Sequence, residues 1–322
     1  MKSLSDLIQF QLAVIFLAPP GYGKTSILMD LIQKSNQKFI FISPLKELSL
    51  EVFERMDKEI DCMFNPDLKD KNWSKKKMLV VTPEKFQDCF LQDRIVILDE
   101  IHLFYHWDNF RPHLRDVFMS VATGENPLWC LTATLNSEYS DFLKEDLLIN
   151  YNDVILLDLG NHKLLRKPYR NIYVLKFWQK YFQRNFHYLL KKNKTSLVFL
   201  PYRQSVDDWE EKLLHSELRV IGCKSVSGMY WGKTIKELKP EVILSTSVLS
   251  HGVNLGKIEQ VFITYLLENK DFWIQMAARG GRNGEKFTLI TLDPYFKSNI
   301  FLNFFHNLIL VFRMFYGSLL EL

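Results

Sequence analysis

A chain of 322 residues with 47% hydrophobic, 24% charged and 14% aromatic content lies outside the disordered, collagen-like and coiled-coil ranges, and it is long enough for two cores. Its cysteines, Cys62, Cys89, Cys130 and Cys223, stand far apart without paired spacing, which excludes a zinc ribbon or disulfide framework and fits a reducing, cytoplasmic setting. The net charge of +4 conceals an asymmetry: residues 1–158 hold 17 Lys and Arg against 24 Asp and Glu (−7), and residues 159–322 hold 24 against 13 (+11), so the second half suits a polyanion.

Lys2 and the apolar run Leu7–Ala18 have the outline of a secretory leader. Gln9 and Gln11 interrupt the run, Asp6 precedes it, and Val14–Leu17 leads straight into a Gly-rich loop. The segment therefore reads as a buried parallel strand. The loop, Ala18-Pro19-Pro20-Gly21-Tyr22-Gly23-Lys24-Thr25, stands between that strand and a helical run over Ser26–Ser35. This is the context of a P-loop. Gly21 and Gly23 let backbone N–H groups turn toward phosphates at a helix N-terminus beside Ser26, Lys24 brings charge to the β- and γ-phosphates, and the Thr25 hydroxyl suits Mg²⁺.

Further strands are predicted at Lys38–Ile42, Met78–Val81, Arg94–Leu98 and Leu128–Leu131. They stop at Pro44–Leu48, Thr82–Lys85, Asp99–His102 and Thr132–Thr134. Short apolar strands that each end in a polar cluster describe an open parallel α/β sheet with its ligands at the strand C-terminal edge. Asp99 and Glu100 supply what phosphoryl transfer to water requires, one carboxylate for Mg²⁺ and one to orient the water.

From 159 to 206 the chain has eleven Lys or Arg and no Asp or Glu, a composition that suits either a solvated face or a groove tracking phosphates. Strands at Ser196–Leu200, Arg219–Val226, Glu241–Leu244 and Gln260–Ile263, with helices at Ser205–His215 and near Phe272–Ala278, form a second α/β set. Two clusters follow its strands, Ser245–Leu255 and Gln275–Arg282. Arg279 and Arg282 read as surface charge or as arginine fingers. At the end, Phe301, Phe304, Phe305, Leu308, Phe312 and Phe315 recur at near-helical spacing, either a helix docked on its own core or a surface for a protein partner. The run Ile300–Phe312 falls short of a membrane span, and no membrane association is expected.

In this order the clusters resemble the motif series of superfamily 2 helicases over about residues 14 to 285. The P-loop resembles motif I, Pro44–Leu48 motif Ia, Thr82–Glu84 motif Ib, Asp99-Glu100-Ile101-His102 the DExH form of motif II and Thr132–Thr134 motif III. Ser196–Arg203 resembles motif IV, Ser245–Leu255 motif V and Gln275–Arg282 motif VI. The aromatic-rich stretch His102–Pro112 is similar to a loop of RecQ-type helicases, while Thr82–Lys85 and Gly252–Leu255 are similar to Ski-type DExH helicases. The resemblance implies two RecA-like parallel-sheet domains in tandem, 1–158 and 171–295, joined by a basic linker at 159–170 and followed by a short helical tail at 296–322.

It also implies ATP and Mg²⁺ as cofactors, held by Gly21, Gly23, Lys24, Thr25, Ser26, Gly252 and Asn254, with Thr25 and Asp99 on the metal. Glu100 and Asp99 are the expected catalytic carboxylates, completed by Lys24, Gln275, Arg279 and Arg282. Single-stranded or partly duplex nucleic acid, DNA favoured over RNA, would meet Pro44, Lys46, Thr82, Pro83, Arg203 and Thr246, together with Trp107, Phe110 and Arg111. Phe104–Phe110 is expected to couple strand binding to hydrolysis. Two features depart from the family pattern: no adenine-reading Gln stands upstream of the P-loop beyond Gln9 and Gln11, and Ala278 occupies a usual Gly. The expected activity is an ATP-driven helicase or translocase; the alternative is a nucleic-acid-binding ATPase switch that does not unwind.

Overall fold

In a parallel sheet covered on both faces the inner strands are buried on both sides, so they read as unbroken apolar runs. The computed structural model, which describes residues 12–107, 111–224, 231–250, 253–267, 269–293 and 300–320, contains two such sheets in two compact units, Met1–Lys163 and Leu164–Leu322. In chain order the first unit has β1 (Leu12–Leu17), α1 (Lys24–Lys34), β2 (Lys38–Ile42), α2 (Lys46–Met56), β3 (Cys62–Phe64) and β4 (Met78–Val81). It continues with β5 (Arg94–Leu98), α3 (His102–His106), α4 (His113–Val121), β6 (Leu128–Thr132), α5 (Ser137–Leu148) and β7 (Asp153–Asp158). The strands pair in parallel in the order β3-β4-β2-β5-β6-β1-β7.

Alternation along β1 separates two cores. Ala13, Ile15 and Leu17 pack with Phe104 and Phe118, whereas Val14 and Phe16 pack with Leu28, Ile32 and Val52 on the other face. Each fully buried side chain of this size contributes about 1.5–3 kcal/mol. Arg94, buried at the start of β5, gives its guanidinium to the carbonyls of Phe39, Trp73 and Lys76. It thereby ties the connection before β4 to the sheet.

The second unit has β8 (Arg170–Tyr173), α6 (Gln179–Asn185), β9 (Ser196–Phe199), α7 (Arg203–Leu213), β10 (Val220–Cys223) and α8 (Trp231–Leu238). After these come β11 (Val242–Ser245), β12 (Gln260–Ile263), α9 (Lys270–Ala277), β13 (Thr288–Thr291) and α10 (Ile300–Leu320). Its parallel order is β10-β11-β9-β12-β13-β8. Val261 and Ile263 face one core, and Phe262 faces the other.

Helix α10 runs beside β8 and supplies what a neighbouring strand would. The Asn303 side chain accepts from Tyr173 N (2.9 Å) and donates to Tyr173 O (3.0 Å); Asn307 accepts from Leu175 N (3.1 Å) and donates to Tyr173 O (2.7 Å). Leu310 and Met314 continue that inward stripe, and a Cβ at Gly317 would come within 2.7 Å of the Tyr188 ring.

Several expectations change. The first helix begins two residues earlier than predicted, at Lys24, and β8 starts inside the expected linker. The apolar tail forms one 21-residue helix, which by length and composition alone is long enough to cross a membrane, so its expected shortfall does not hold.

Candidate active site and nucleic-acid interface

Because all strands of the first unit run in parallel, the clusters after β1, β2, β4, β5 and β6 lie at one sheet edge. Gly23 caps α1 at φ 94° and Gly21 has φ 79°, the left-handed region that glycine adopts without penalty. Tyr22 N donates to Pro19 O (3.1 Å), and Lys24 Nζ reaches back to Ala18 O (2.9 Å). Gly21 and Gly23 are exposed, Lys24 and Thr25 half-buried. Ser26 is exposed and its hydroxyl accepts from Arg55 (3.2 Å). A Cβ at Gly160 would stand 3.1 Å from Pro19, so the chain leaving β7 backs the loop.

Asp99 and Glu100 are buried at the end of β5. Asp99 N donates to Ile42 O (2.9 Å), which fixes it against β2. Burial, and next the neighbouring Glu100, hold the Asp99 carboxyl well above the usual carboxylate range, while the charge of Lys24 acts in the opposite direction. Glu100 adopts φ 51°, costly for a residue with a Cβ, and its buried Oε2 has no hydrogen-bond partner. That oxygen is 3.4 Å from His102 Nδ1.

His102 links motif II to motif III. Its Nδ1 is 2.8 Å from Thr132 Oγ1, and Thr132 donates its hydroxyl proton to Thr134 O (2.8 Å). With that proton committed, the Thr132 oxygen accepts, and Nδ1 carries the imidazole hydrogen. Asn161 holds the far side of motif III through Leu135 N (3.0 Å) and Leu135 O (2.7 Å).

The donor set fits Mg²⁺ and a nucleotide triphosphate: two glycine N–H groups at a helix N-terminus, a lysine, a threonine hydroxyl and a buried carboxyl that a cation would hold ionised. Bound Mg²⁺ supplies neutralisation of phosphate charge. Thr25 and Asp99 would hold it, Lys24 would orient the phosphates, and the unpaired oxygen of Glu100 would be available to hold or take a water proton.

At the same edge Thr82 N donates to the side chain of Asn65 (2.8 Å), itself at φ 42°, and Pro83 starts a 3₁₀ turn to Lys85. Pro44 is buried and Lys46 opens α2. Arg111 is committed within the unit: it donates to Pro44 O (2.9 Å), forms an ion pair with Glu84 and lies 5.6 Å from the Trp107 ring centre. It is a brace between motifs Ia and Ib where a free phosphate ligand was expected. Phe104 and Tyr105 fill the core on α3, while Trp107 is half-buried. Phe110 and Gly252 lie outside the described residues.

In the second unit Arg203 is exposed at the start of α7, and Thr246 is half-buried where β11 ends. Exposed Asn254 turns its side-chain oxygen to Gly256 N (3.1 Å). Arg279, expected as a finger, is buried; its Nε donates to Ser250 O (3.1 Å) and Nη1 to Val253 O, clamping motif V to motif VI. Arg282 Nε donates to Ala278 O (3.0 Å), and Gln275 is buried with its Nε2 unpartnered. Gly280 and Gly281 lie under Phe287, where a Cβ would meet the ring at 2.2 and 2.7 Å.

Two family models match the chain: DEAD/DEAH box helicase over residues 2–142 and helicase conserved C-terminal domain over 180–284. Together the two models match the N- and C-terminal halves of a DEAD/DEAH-type helicase core. With that core go two RecA-like domains and the enzyme class, a nucleoside triphosphatase coupled to nucleic acid that uses ATP and Mg²⁺. Among solved structures, Mss116p bound to ssRNA and AMP-PNP is similar at 15% identity, TM-score 0.70, over 89% of this chain and 67% of that one. S. cerevisiae Dbp5 bound to RNA and ADP BeF3 is similar at 18%, TM-score 0.67, over 96% and 85%. Mycobacterium smegmatis helicase Lhr bound to ssDNA and AMP-PNP is similar at 16%, TM-score 0.63, over 94% and 46%. At these identities the likeness is one of fold. A search of curated proteins returns no match. The RecQ-type and Ski-type features and the preference for DNA find no support in these comparisons.

Proposed function

We propose that this helicase core hydrolyses ATP to remodel or move along single-stranded RNA. The observation that carries the reading is the placement of the P-loop after β1 and the buried Asp99-Glu100 pair after β5 at one edge of the same parallel sheet, with Glu100 offering an unpartnered oxygen. His102 stands between the proposed hydrolytic carboxylate and motif III: its Nδ1 is 3.4 Å from Glu100 Oε2 and bonds Thr132, whose hydroxyl donates to Thr134 O. Thr82 and Pro44 occupy the same sheet edge, so a strand lying along that edge would bias these contacts. RNA is favoured over DNA by the Mss116p and Dbp5 complexes, although the Lhr complex holds ssDNA.

The test compares ATPase stimulation by single-stranded RNA and DNA of matched length and sequence. RNA should stimulate more strongly. Equal or greater stimulation by DNA overturns the RNA assignment, and absence of stimulation by either overturns the coupling. Strand displacement assayed on partly duplex RNA then separates unwinding from a switch that only binds.

A further inference from the structure

The first half of helix α10 has its polarity inverted, and Leu310 and Met314 carry the buried stripe onward. The buried stripe contains Asn303 and Asn307, bound to the β8 backbone, whereas the outward face carries Phe301, Phe305, Leu308, Phe312, Phe315 and Leu319, each between 45% and 80% exposed. No Asp or Glu occurs in the helix. A contiguous apolar face of this length is far beyond the scattered surface apolar residues of a soluble monomer. Its four bonds to Tyr173 and Leu175 hold it flat along the sheet edge, so it cannot turn to span a bilayer while the fold is kept.

Beside it lies a cavity of about 540 Å³. Arg170, Lys191, Lys194 and Arg313 line it, all exposed and none with an acidic partner among the described residues. His306 lines it too, with Nδ1 unpartnered. Burial, then the charges of Arg313, Lys194 and Arg170, push the Lys191 ammonium below its ordinary pKa, the mark of cations crowded without a counterion. Lys194 also lines a neighbouring cavity with Lys236 and Lys239, where Glu241 and Lys257, the latter paired with Glu259 at 3.2 Å, also lie. Both cavities open where strands begin: Arg170, Gln260 and Thr288 are the first residues of β8, β12 and β13. Thr246 and Arg203, the nucleic-acid candidates, stand where strands end.

We propose that α10 and the cations beside it form a docking face for an anionic phospholipid bilayer, the apolar face entering the interface and the cavity receiving headgroup phosphates. The pairing of an apolar helical face with flanking cations is what interfacial helices require. A second copy of this chain would set the same cations against each other. Single-stranded nucleic acid would use the charges and rings and leave Leu308, Ile309 and Leu319 in water. The inference departs from the sequence expectation of no membrane and is independent of the proposed RNA reading.

The full chain is tested by flotation with vesicles of phosphatidylcholine alone and of phosphatidylcholine with phosphatidylserine. Partition should be at least about tenfold stronger on the anionic vesicles and should weaken with salt. The double variant Phe305→Glu, Phe312→Glu should lose binding by a similar factor while its unstimulated ATPase is unchanged. Equal partition on both vesicles, or undiminished binding by this variant, overturns the proposal. If the variant melts early, the charge variant Lys191→Gln, Lys194→Gln, Arg313→Gln decides: reduced anionic-vesicle binding with RNA affinity retained supports the face. Lost RNA affinity with vesicle binding intact overturns it, as does a concentration-dependent dimer of the parent chain that the phenylalanine variant abolishes without any vesicle binding.

Discussion

Glu100 combines a left-handed backbone with a buried carboxylate oxygen that lacks a partner, a state that costs stability and is retained where it serves chemistry. Glu100→Gln should keep nucleotide binding and lower turnover roughly 10²- to 10⁴-fold, whereas Lys24→Ala should lose nucleotide affinity itself; equilibrium binding beside steady-state rates distinguishes them. Thr132→Val removes both the acceptor for His102 and the donor to Thr134 O, so it should destabilise the first unit by about 1–3 kcal/mol and uncouple stimulation from basal hydrolysis. Trp107 tests the coupling expected of its loop. Phe104 and Tyr105 turned out to be core, but half-buried Trp107 stands 5.6 Å from Arg111, and Trp107→Ala should leave basal ATPase while stimulation by single strands falls.

At the scale of elements, the strands legible in the sequence are those buried on both faces: β2, β4, β5 and β12 begin and end where their apolar runs do. Those missed include both edges of the first sheet, β3 with three residues and β7 with a mostly exposed pattern, and the β8 edge of the second. An edge strand needs only one neighbour and half a burial face, so its sequence carries little pattern. Buried β13 was also missed. The P-loop and the Asp-Glu pair were legible because their chemistry is local. The His102–Thr132 contact and the bracing of Arg111 were not, since they join residues 30 and 67 positions apart. Glu241 shows the same long-range design: its carboxylate accepts from Asn193 N (2.8 Å) and Arg219 N (3.2 Å), and these bonds lower its pKa. A depressed carboxylate stabilises the fold above its unfolded pKa and loses that contribution as pH falls through the folded value. Glu241→Gln should therefore lower Tm at neutral pH, and the difference from the parent should vanish in acid.

For the whole molecule, the excess of positive charge in the second half divides between two sheet edges. The sequence alone left the basic stretch 159–206, which includes Lys191, Lys192 and Lys194, as either a solvated face or a phosphate groove. Lys192 pairs with Glu217 at 3.0 Å, and the other two stand at the edge where strands begin. Arg203→Gln should therefore weaken RNA binding for all sequences alike and flatten the salt slope by about one ion, while changes at Lys191 and Lys194 should leave that slope unaltered. Titrations at several salt concentrations would show whether the two edges act separately.

The asparagine pair on α10 also sets an order of assembly. Strand β8 is flanked by β13 on one side and by Asn303 and Asn307 on the other, and Asn303 lies 130 positions after Tyr173. At ribosomal speeds that interval is on the order of ten seconds. For most of it, until β13 at Thr288–Thr291 is made, β8 has neither neighbour, so a nascent chain carries an unpaired strand long after the first unit is able to fold, and aggregation during synthesis should be seeded by Arg170–Tyr173.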